Sequence, residues 1–320
     1  MSISYFNKSF LWQLYFTFAS MHLNLQHRFA GHQGSIYSLV KGQNDGIFYS
    51  GAGDKNVAQW DLNHPGDGIL IAKATDSIYC MHFLQEQNRL LIGQGSGGVH
   101  IIDLTENKEE RLLKLHDQAV FAILSSKKHE LIFTLGGDGI VCVLNLQTLE
   151  VLQRIRLSEK KLRAIIINQN QEIAFIGCGD GSIVELSIPS LEIAHRFQAH
   201  GLDFSVNALC FSPDEKYLLT GSRDAHLNVF DLENFYLKAS IPAHNFAIYD
   251  ITFDLSGKYF ATASRDKSVK IWDYESLTVI ERLEGNDGKG HINSVNKLLW
   301  LEDGTLLSAG DDRAVQAWKK

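Results

Sequence analysis

Bulky apolar residues recur at a nearly constant interval along this 320-residue chain. Successive members of the column are 42, 42, 42, 44, 42 and 46 residues apart, and they are Trp60, Ile102, Leu144, Leu186, Phe230, Trp272 and Trp318. A second column precedes the first by 24 residues, or by 23 in the last unit, and comprises Ile36, Ile78, Val120, Leu162, Val206, Ile248 and Val295. Two columns in one register define seven repeats of a single supersecondary unit.

Each unit is predicted to contain four short strands. In the sixth unit, strand-like runs at 248–254, 259–264, 269–273 and 277–283 are separated by turn residues such as Ser256 and Gly257. Runs such as 164–167 are apolar at consecutive positions, which indicates burial on both faces. The 26 glycines and only 4 prolines indicate many tight turns and few linkers. Small sheets stacked around an axis fit these patterns, because each sheet packs against two neighbours.

Short dipeptides mark the same register. Gly31-His32 and Ala243-His244 precede the second column, while Trp60-Asp61 and Trp272-Asp273 end the third strand. Together with the spacing and the turn aspartates, these residues resemble WD40 repeats over about residues 22 to 319. The resemblance implies an all-β fold, a seven-bladed β-propeller of four-stranded antiparallel blades.

The length alone would favour two domains, but the repeats indicate one closed domain over 21–320. The expected blades span 31–73, 74–115, 116–157, 158–199, 200–243, 244–289 and 290–320 plus 21–30. Only two residues follow Trp318, so the seventh unit lacks an outer strand, and the segment before Gly31 is predicted to supply it. We expect residues 1–20, with the apolar run 10–19, to be an extension that the fold does not require, either signal-like or non-folded.

The resemblance implies a buried hydrogen-bonded set of His, Ser or Thr, Asp and Trp within a blade. The residues at these positions are His32, Ser50, Asp54 and Trp60 in blade 1; His200, Thr220 and Asp224 in blade 5; His244, Thr262, Asp266 and Trp272 in blade 6; and His291, Ser308, Asp312 and Trp318 in blade 7. Blade 3 keeps His116, Thr134 and Asp138, whereas blades 2 and 4 lack the His and carry Ile92 and Ile176 in place of the hydroxyl. The paired loss fits physical expectation, because either group buried alone would lack a partner.

The resemblance also implies two exposed columns around the mouth of the central channel, on the face called here the top face. The first is Tyr37, Tyr79, Phe121, Arg163, Asn207, Tyr249 and Asn296, and the second is Gly53, Gly95, Gly137, Gly179, Arg223, Arg265 and Asp311. Aromatic and Arg side chains are common anchors of protein interfaces. We therefore expect a site for a protein or peptide with an acidic or aromatic element, while the alternative is that these bulky residues only plug the channel.

Other chemistry has little support in the sequence. Cys80, Cys142, Cys178 and Cys210 lack CxxC spacing and are expected to be reduced core thiols. The glycine-rich stretch 93–98 precedes no helix, the remaining histidines show no metal-ligand spacing, and the net charge of -7 gives no general attraction to nucleic acid or membrane. We expect no cofactor and no metal; His82 and His100 share a blade and could meet, but strand-packing or surface roles are favoured.

The prediction is a non-catalytic, cytoplasmic WD40 scaffold for protein-protein interaction, monomeric within a complex. Secretion through residues 1–20 stays open. One alternative is a hydrolase-like, metal-assisted propeller enzyme, disfavoured because Asp311 is the only carboxylate in the two channel columns. The other is a subunit of a larger assembly that uses the sides of its blades.

Overall fold

The chain forms seven four-stranded antiparallel sheets in a computed structural model, which describes residues 21–285 and 290–320. The expected extension over 1–20 lies outside the described residues. The innermost strand of each sheet lies beside the innermost strand of the next, and the seventh lies beside the first. The ring is therefore closed, and the predicted seven-bladed all-β propeller is confirmed. Residues 21–285 and 290–320 contain no α-helix, and a 3₁₀ turn is formed by Gln85–Gln87.

Strands follow the chain outward from the channel in blades 1 to 6. The inner strands are Ile36–Lys41, Ile78–Leu84, Val120–Ser126, Leu162–Ile167, Val206–Phe211, Ile248–Phe253 and Val295–Trp300. The second strands are Ile47–Ala52, Arg89–Gln94, Leu131–Gly136, Ile173–Cys178, Tyr217–Ser222, Tyr259–Ser264 and Leu306–Gly310. The third strands are Asn56–Asp61, Gly98–Asp103, Ile140–Asn145, Ser182–Ser187, His226–Asp231, Val269–Asp273 and Ala314–Lys319. The outer strands are Ile69–Lys73, Lys108–Lys114, Val151–Arg156, Ile193–Gln198, Leu237–Pro242, Thr278–Leu283 and, for blade 7, Asn24–Ala30.

The first strand of the described residues completes the last blade, as predicted. Asn24–Ala30 pairs antiparallel with Ala314–Lys319, with Phe29 opposite Val315. Just before this strand, the backbone N–H of Leu23 donates a hydrogen bond of 2.9 Å to the Glu281 carboxylate on the outer strand of blade 6. The two ends of the described chain thus pair within one sheet, and this seam also bonds to blade 6.

Burial between blades explains the consecutive apolar runs. The second strand of each blade lies between two neighbouring sheets, and Ile132, Phe133 and Leu135 are fully buried there. The inner-strand run 164–167 is only half-buried, although its pattern predicted burial on both faces. The difference arises because inner strands border the central channel, so one side of each strand lacks a packed neighbour.

Removing residues 21–30 should open the ring. The reference is a chain that begins at Met21. Loss of the outer strand of blade 7 exposes Trp318 and the edge of Ala314–Lys319, and it separates the chain ends. We expect the further truncation to lower the thermal midpoint of unfolding or to abolish cooperative unfolding, measured by circular dichroism. Equal midpoints for the two chains would contradict closure by this strand.

Candidate functional site

Polar side chains cluster in two places, inside the blades and around the mouth of the channel. The loop that enters each inner strand lies beside the turn between the second and third strands. In blade 1, the Gly53 N–H at this turn donates to the Ser35 carbonyl of the loop over 2.8 Å. These loops and turns form the top face.

The sets inside the blades are buried hydrogen-bond networks. In blade 1, His32 Nε2 lies 2.7 Å from Ser50 Oγ, Trp60 Nε1 donates to the same Oγ over 2.7 Å, and His32 Nδ1 lies 3.0 Å from an Asp54 oxygen. A neutral His that donates through Nδ1 and accepts from the hydroxyl satisfies every group. The same contacts recur among His244, Thr262, Asp266 and Trp272, and among His291, Ser308, Asp312 and Trp318.

Two blades keep the set without its Trp. His116 bonds Thr134 over 2.8 Å and lies 3.1 Å from Asp138 in blade 3, where Leu144 occupies the Trp column. In blade 5, His200 bonds Thr220 and Asp224 over 2.8 and 2.9 Å, and Phe230 occupies the column. The hydroxyl keeps its His partner in both blades.

Blades 2 and 4 use other polar groups, which the repeat pattern did not predict. In blade 2, Gln94 Oε1 lies 2.9 Å from His100 Nε2 and also accepts from the Thr75 hydroxyl over 3.0 Å. In blade 4, Asp180 accepts from the hydroxyls of Ser158 and Ser182 over 3.0 and 2.6 Å. His100 therefore has a packing role, and it does not meet His82, which bonds Ser125 Oγ over 2.8 Å in the next blade.

Burial controls the charge state of these networks. Desolvation lowers the pKa of His116 and His244 below the usual value, against the opposing effect of the neighbouring carboxylates. Desolvation also opposes ionisation of Asp266, but hydrogen bonds from His244, Ser268 and the Asn245 backbone outweigh it and hold the pKa of Asp266 well below its usual value. At neutral pH the blade 6 set is therefore a neutral imidazole bonded to an ionised carboxylate. This is a structural arrangement.

Removing both side chains of one buried hydrogen bond should lower the free energy of unfolding by less than the sum of the two single substitutions. Blade 3 allows this test without a Trp donor. His116→Leu and Thr134→Val should each lower the free energy of unfolding by about 1–3 kcal/mol, because each leaves a buried group unpaired. The double variant should lose less than the sum of the two, measured by urea denaturation. Strict additivity would mean that the bond does not couple the two side chains.

Acidification should destabilise the propeller through these histidines. His116 and His244 have lowered folded-state pKa values, so the unfolded chain binds more protons below its own His pKa of about 6.5. The lowered pKa of Asp266 adds a further loss at lower pH. We expect the thermal midpoint to fall steadily from pH 7 to pH 5, and to fall less steeply in His116→Leu. An identical slope in that variant would contradict the assignment.

A β-bulge positions the first top-face column. In every blade the inner strand shifts register after its first residue, and the residue left out of the ladder is the one that the resemblance to WD40 repeats places at the channel mouth. A bulge bends its strand and re-aims a side chain. The seven bulge residues are Tyr37, Tyr79, Phe121, Arg163, Asn207, Tyr249 and Asn296.

Four of the bulge residues stack in sequence around the mouth. The ring centroids of Tyr37 and Tyr79 are 5.1 Å apart, and those of Tyr79 and Phe121 are 5.5 Å apart. The Arg163 guanidinium lies 4.4 Å from the Phe121 centroid. All four side chains are half-buried, so this part of the column partly plugs the channel while keeping one exposed side.

Two asparagines of the column bond to neighbouring blades. Asn207 donates to the Ile248 carbonyl over 3.0 Å, and Asn296 donates to the Ile36 carbonyl over the same distance. Asn296 also donates to Asp311 over 2.8 Å. These contacts join blade 5 to blade 6 and blade 7 to blade 1. A partner-binding role for Asn207, Asn296 and Asp311 therefore competes with a role in ring closure.

The second column divides the top face. Glycines in blades 1 to 4 leave room for the bulge residues and loops; a Cβ on Gly137, for example, would lie 2.9 Å from the Gln118 side chain and 3.3 Å from the Phe121 ring. In blades 5 and 6 the equivalent side chains, Arg223 and Arg265, are exposed. Large apolar side chains in the loops that enter the inner strands of these two blades are exposed as well: Leu202 by 77%, Phe204 by 43% and Phe246 by 56%.

The structure adds a charged pair that the two columns did not include. Asp250 follows Tyr249 on the inner strand of blade 6 and accepts from Lys297 Nζ and the Leu298 backbone N–H, each over 2.9 Å. Both residues border a cavity of about 470 Å³ that extends to the loop 168–171 of blade 4. The sequence carried a signal for this pair, because the positions in blades 1 to 5 that correspond to Asp250 hold small residues: Ser38, Cys80, Ala122, Ala164 and Ala208.

The described residues offer little for other chemistry. No group of three or more potential metal ligands occurs within 21–285 and 290–320. Burial raises the pKa of the Cys142 and Cys178 thiols to about 11 and that of Cys210 to about 12, and none of the four cysteines is in a disulfide. Over the same ranges, no helix is long and apolar enough to cross a membrane.

Comparisons with known protein families agree with this geometry. Residues 69–318 match the model described as "Nucleolar protein 10-like, N-terminal domain", and residues 23–61 match the model described as "WD domain, G-beta repeat". The resemblance to WD40 repeats is thereby confirmed. No curated protein matches the chain.

Proposed function

Because this chain belongs to the nucleolar protein 10-like N-terminal domain family and is a WD40 β-propeller, we propose that it is a non-catalytic scaffold for protein-protein interaction. Its partner would bind on the top face around the channel mouth. The observation that carries the proposal is the placement of three exposed apolar side chains beside the exposed Arg223 and Arg265. Apolar anchors next to Arg are typical of interface centres.

The polar groups that resemble catalytic residues are hydrogen-bonded or ion-paired to other residues of the protein. The His and Asp side chains of the blades bond one another in buried sets, and Asp250 is paired with Lys297. Burial also lowers the pKa of His82 to about 4, so it is neutral at pH 7 and bonds Ser125. These arrangements support a binding function over hydrolysis. We further propose a cytoplasmic location for the chain, whereas the description of its family refers to a nucleolar protein.

A second candidate is an assembly subunit that binds through the sides of its blades. The outer strands of blades 1 to 3 carry large exposed apolar side chains, which are Ile69, Leu70, Leu112, Val151 and Leu152. They lie on solvent-facing edge strands, far from the channel. This surface provides a matched control for the top-face proposal.

Replacing top-face residues should remove the partner. Tyr249→Ala with Arg265→Ser changes the top face, and Ile69→Ser with Leu70→Ser changes the side of blade 1. Affinity capture with each purified chain, followed by quantitative mass spectrometry, compares them with the unchanged protein. We expect proteins captured by the unchanged chain to be depleted about tenfold or more by the top-face variant, since hot-spot truncations cost over ~1–2 kcal/mol.

The control variant should keep those proteins. Thermal midpoints close to that of the unchanged chain would show that both variants are folded. Loss of the same proteins with the blade-side variant alone would overturn the top-face proposal and support the second candidate.

A further inference from the structure

The Arg163 guanidinium lies at the end of an aromatic stack at the channel mouth. It is 4.4 Å from the Phe121 centroid, and the Phe121 ring in turn lies 5.5 Å from the Tyr79 ring. The bulge in the inner strand of blade 4 positions the residue, and stacking on Phe121 restricts its orientation. A cation so placed is pre-organised, which reduces the entropy lost when it binds a ligand.

The donors of Arg163 have no protein acceptor. Within residues 21–285 and 290–320, the guanidinium makes no hydrogen bond and no ion pair. By contrast, Arg89 pairs with Glu110 over 2.9 Å, and Arg196 donates to the Ser182 hydroxyl over 3.0 Å and to the Leu157 carbonyl. A half-buried guanidinium with unused donors can bind a planar anion through two parallel N–H···O hydrogen bonds.

Positive charge accumulates beside it. Lys161 and Arg163 flank the first residue of the inner strand of blade 4, and Arg223 lies at the top-face turn of blade 5. Burial lowers the pKa of Lys161, and the charges of Arg163 and Arg223 lower it further. Neither Lys161 nor Arg223 has an acidic partner among the described residues. The nearby Asp203 is 3.6 Å from Lys160 instead. This local excess of cations occurs in a chain whose net charge is -7.

Apolar surface flanks the cations on one side. Phe204 and Phe246 are exposed in the loops that enter blades 5 and 6, and the Arg265 guanidinium lies 5.9 Å from the Phe246 centroid. On the other side, the stack of Tyr37, Tyr79 and Phe121 is packed within itself. The open part of the top face is therefore over blades 4 to 6.

We propose that the top face takes an acidic peptide segment across blades 4 to 6, with one Asp or Glu carboxylate forming a bidentate pair with Arg163. An apolar side chain of the same segment would cover Phe204 and Phe246, and Lys161 and Arg223 would attract its remaining acidic groups. This inference rests on the proposed function and specifies its ligand. The two oxygens of a carboxylate match the two parallel N–H donors of one guanidinium. The test also measures a peptide in which phosphoserine replaces the acidic residue.

A selection with displayed peptides tests the proposal. Randomised ten-residue peptides are selected on the full chain, and the enriched sequences are synthesised with a fluorescent label. We expect enrichment of Asp or Glu near Leu, Phe, Tyr or Trp. Anisotropy titrations should then show weaker binding to Arg163→Met by about tenfold to a hundredfold, because a bidentate charged contact is lost. Arg163→Lys should be intermediate, since it keeps the charge and loses the fork.

Matched variants distinguish a specific contact with Arg163 from a general effect of positive charge on peptide affinity. Arg111→Met removes an exposed Arg from the outer strand of blade 2 and should leave affinity within about twofold, because a distant surface charge contributes little to binding. Unchanged thermal midpoints exclude misfolding. Replacing the essential Glu of a selected peptide by Gln should weaken binding to the unchanged chain and make little difference to Arg163→Met.

Several results would overturn the inference. Selection without acidic enrichment, equal affinity for Arg163→Met, or tighter binding of a phosphoserine peptide than of its Glu counterpart would each do so. If selected peptides still depend on Tyr249 and Arg265 but not on Arg163, the Arg163 contact is wrong and the top-face function stands. If proteins captured by the chain are lost only with the blade-side variant, the function itself is wrong.

Discussion

The antiparallel pairing of Asn24–Ala30 with Ala314–Lys319 is the contact on which the ring depends. It brings together the two ends of the described chain in one blade, so the third strand of blade 7 is not left as an exposed sheet edge. Closure also sets the distance between neighbouring inner strands around the whole channel. The bulge residues can stack or bond across blade boundaries only because that distance is fixed. Asn296 reaches the Ile36 carbonyl across the seam itself.

The buried His sets and the channel mouth use polar residues in opposite ways. Inside the blades, each His of a set bonds a hydroxyl and a carboxylate, and these bonds stabilise the fold. At the mouth, Arg163 has an aromatic neighbour and no acceptor among the described residues. Satisfied groups hold the scaffold together, and unsatisfied groups at its rim remain free to bind a ligand.

Much of this architecture was predictable because one local sequence pattern recurs seven times along the chain. The number of blades and the closure by the strand 24–30 follow from residue spacing, and the positions of the His sets follow from the resemblance to WD40 repeats. The replacement of the His set by Gln94, His100 and Thr75 was not predictable, since these residues occupy different columns and meet only after the strands pair. The same holds for Asn207, whose amide bonds a carbonyl of the next blade. Contacts between blades depend on bulge geometry and ring closure, which spacing alone does not encode.

An experimental structure of the chain with a bound protein partner would test the central claim most directly. The account predicts that a segment of the partner lies on the top face over blades 4 to 6. One of its carboxylates should lie within hydrogen-bond distance of the Arg163 guanidinium, next to an apolar side chain on Phe246. A partner seated along the outer strands, with the channel mouth open to solvent, would contradict the account.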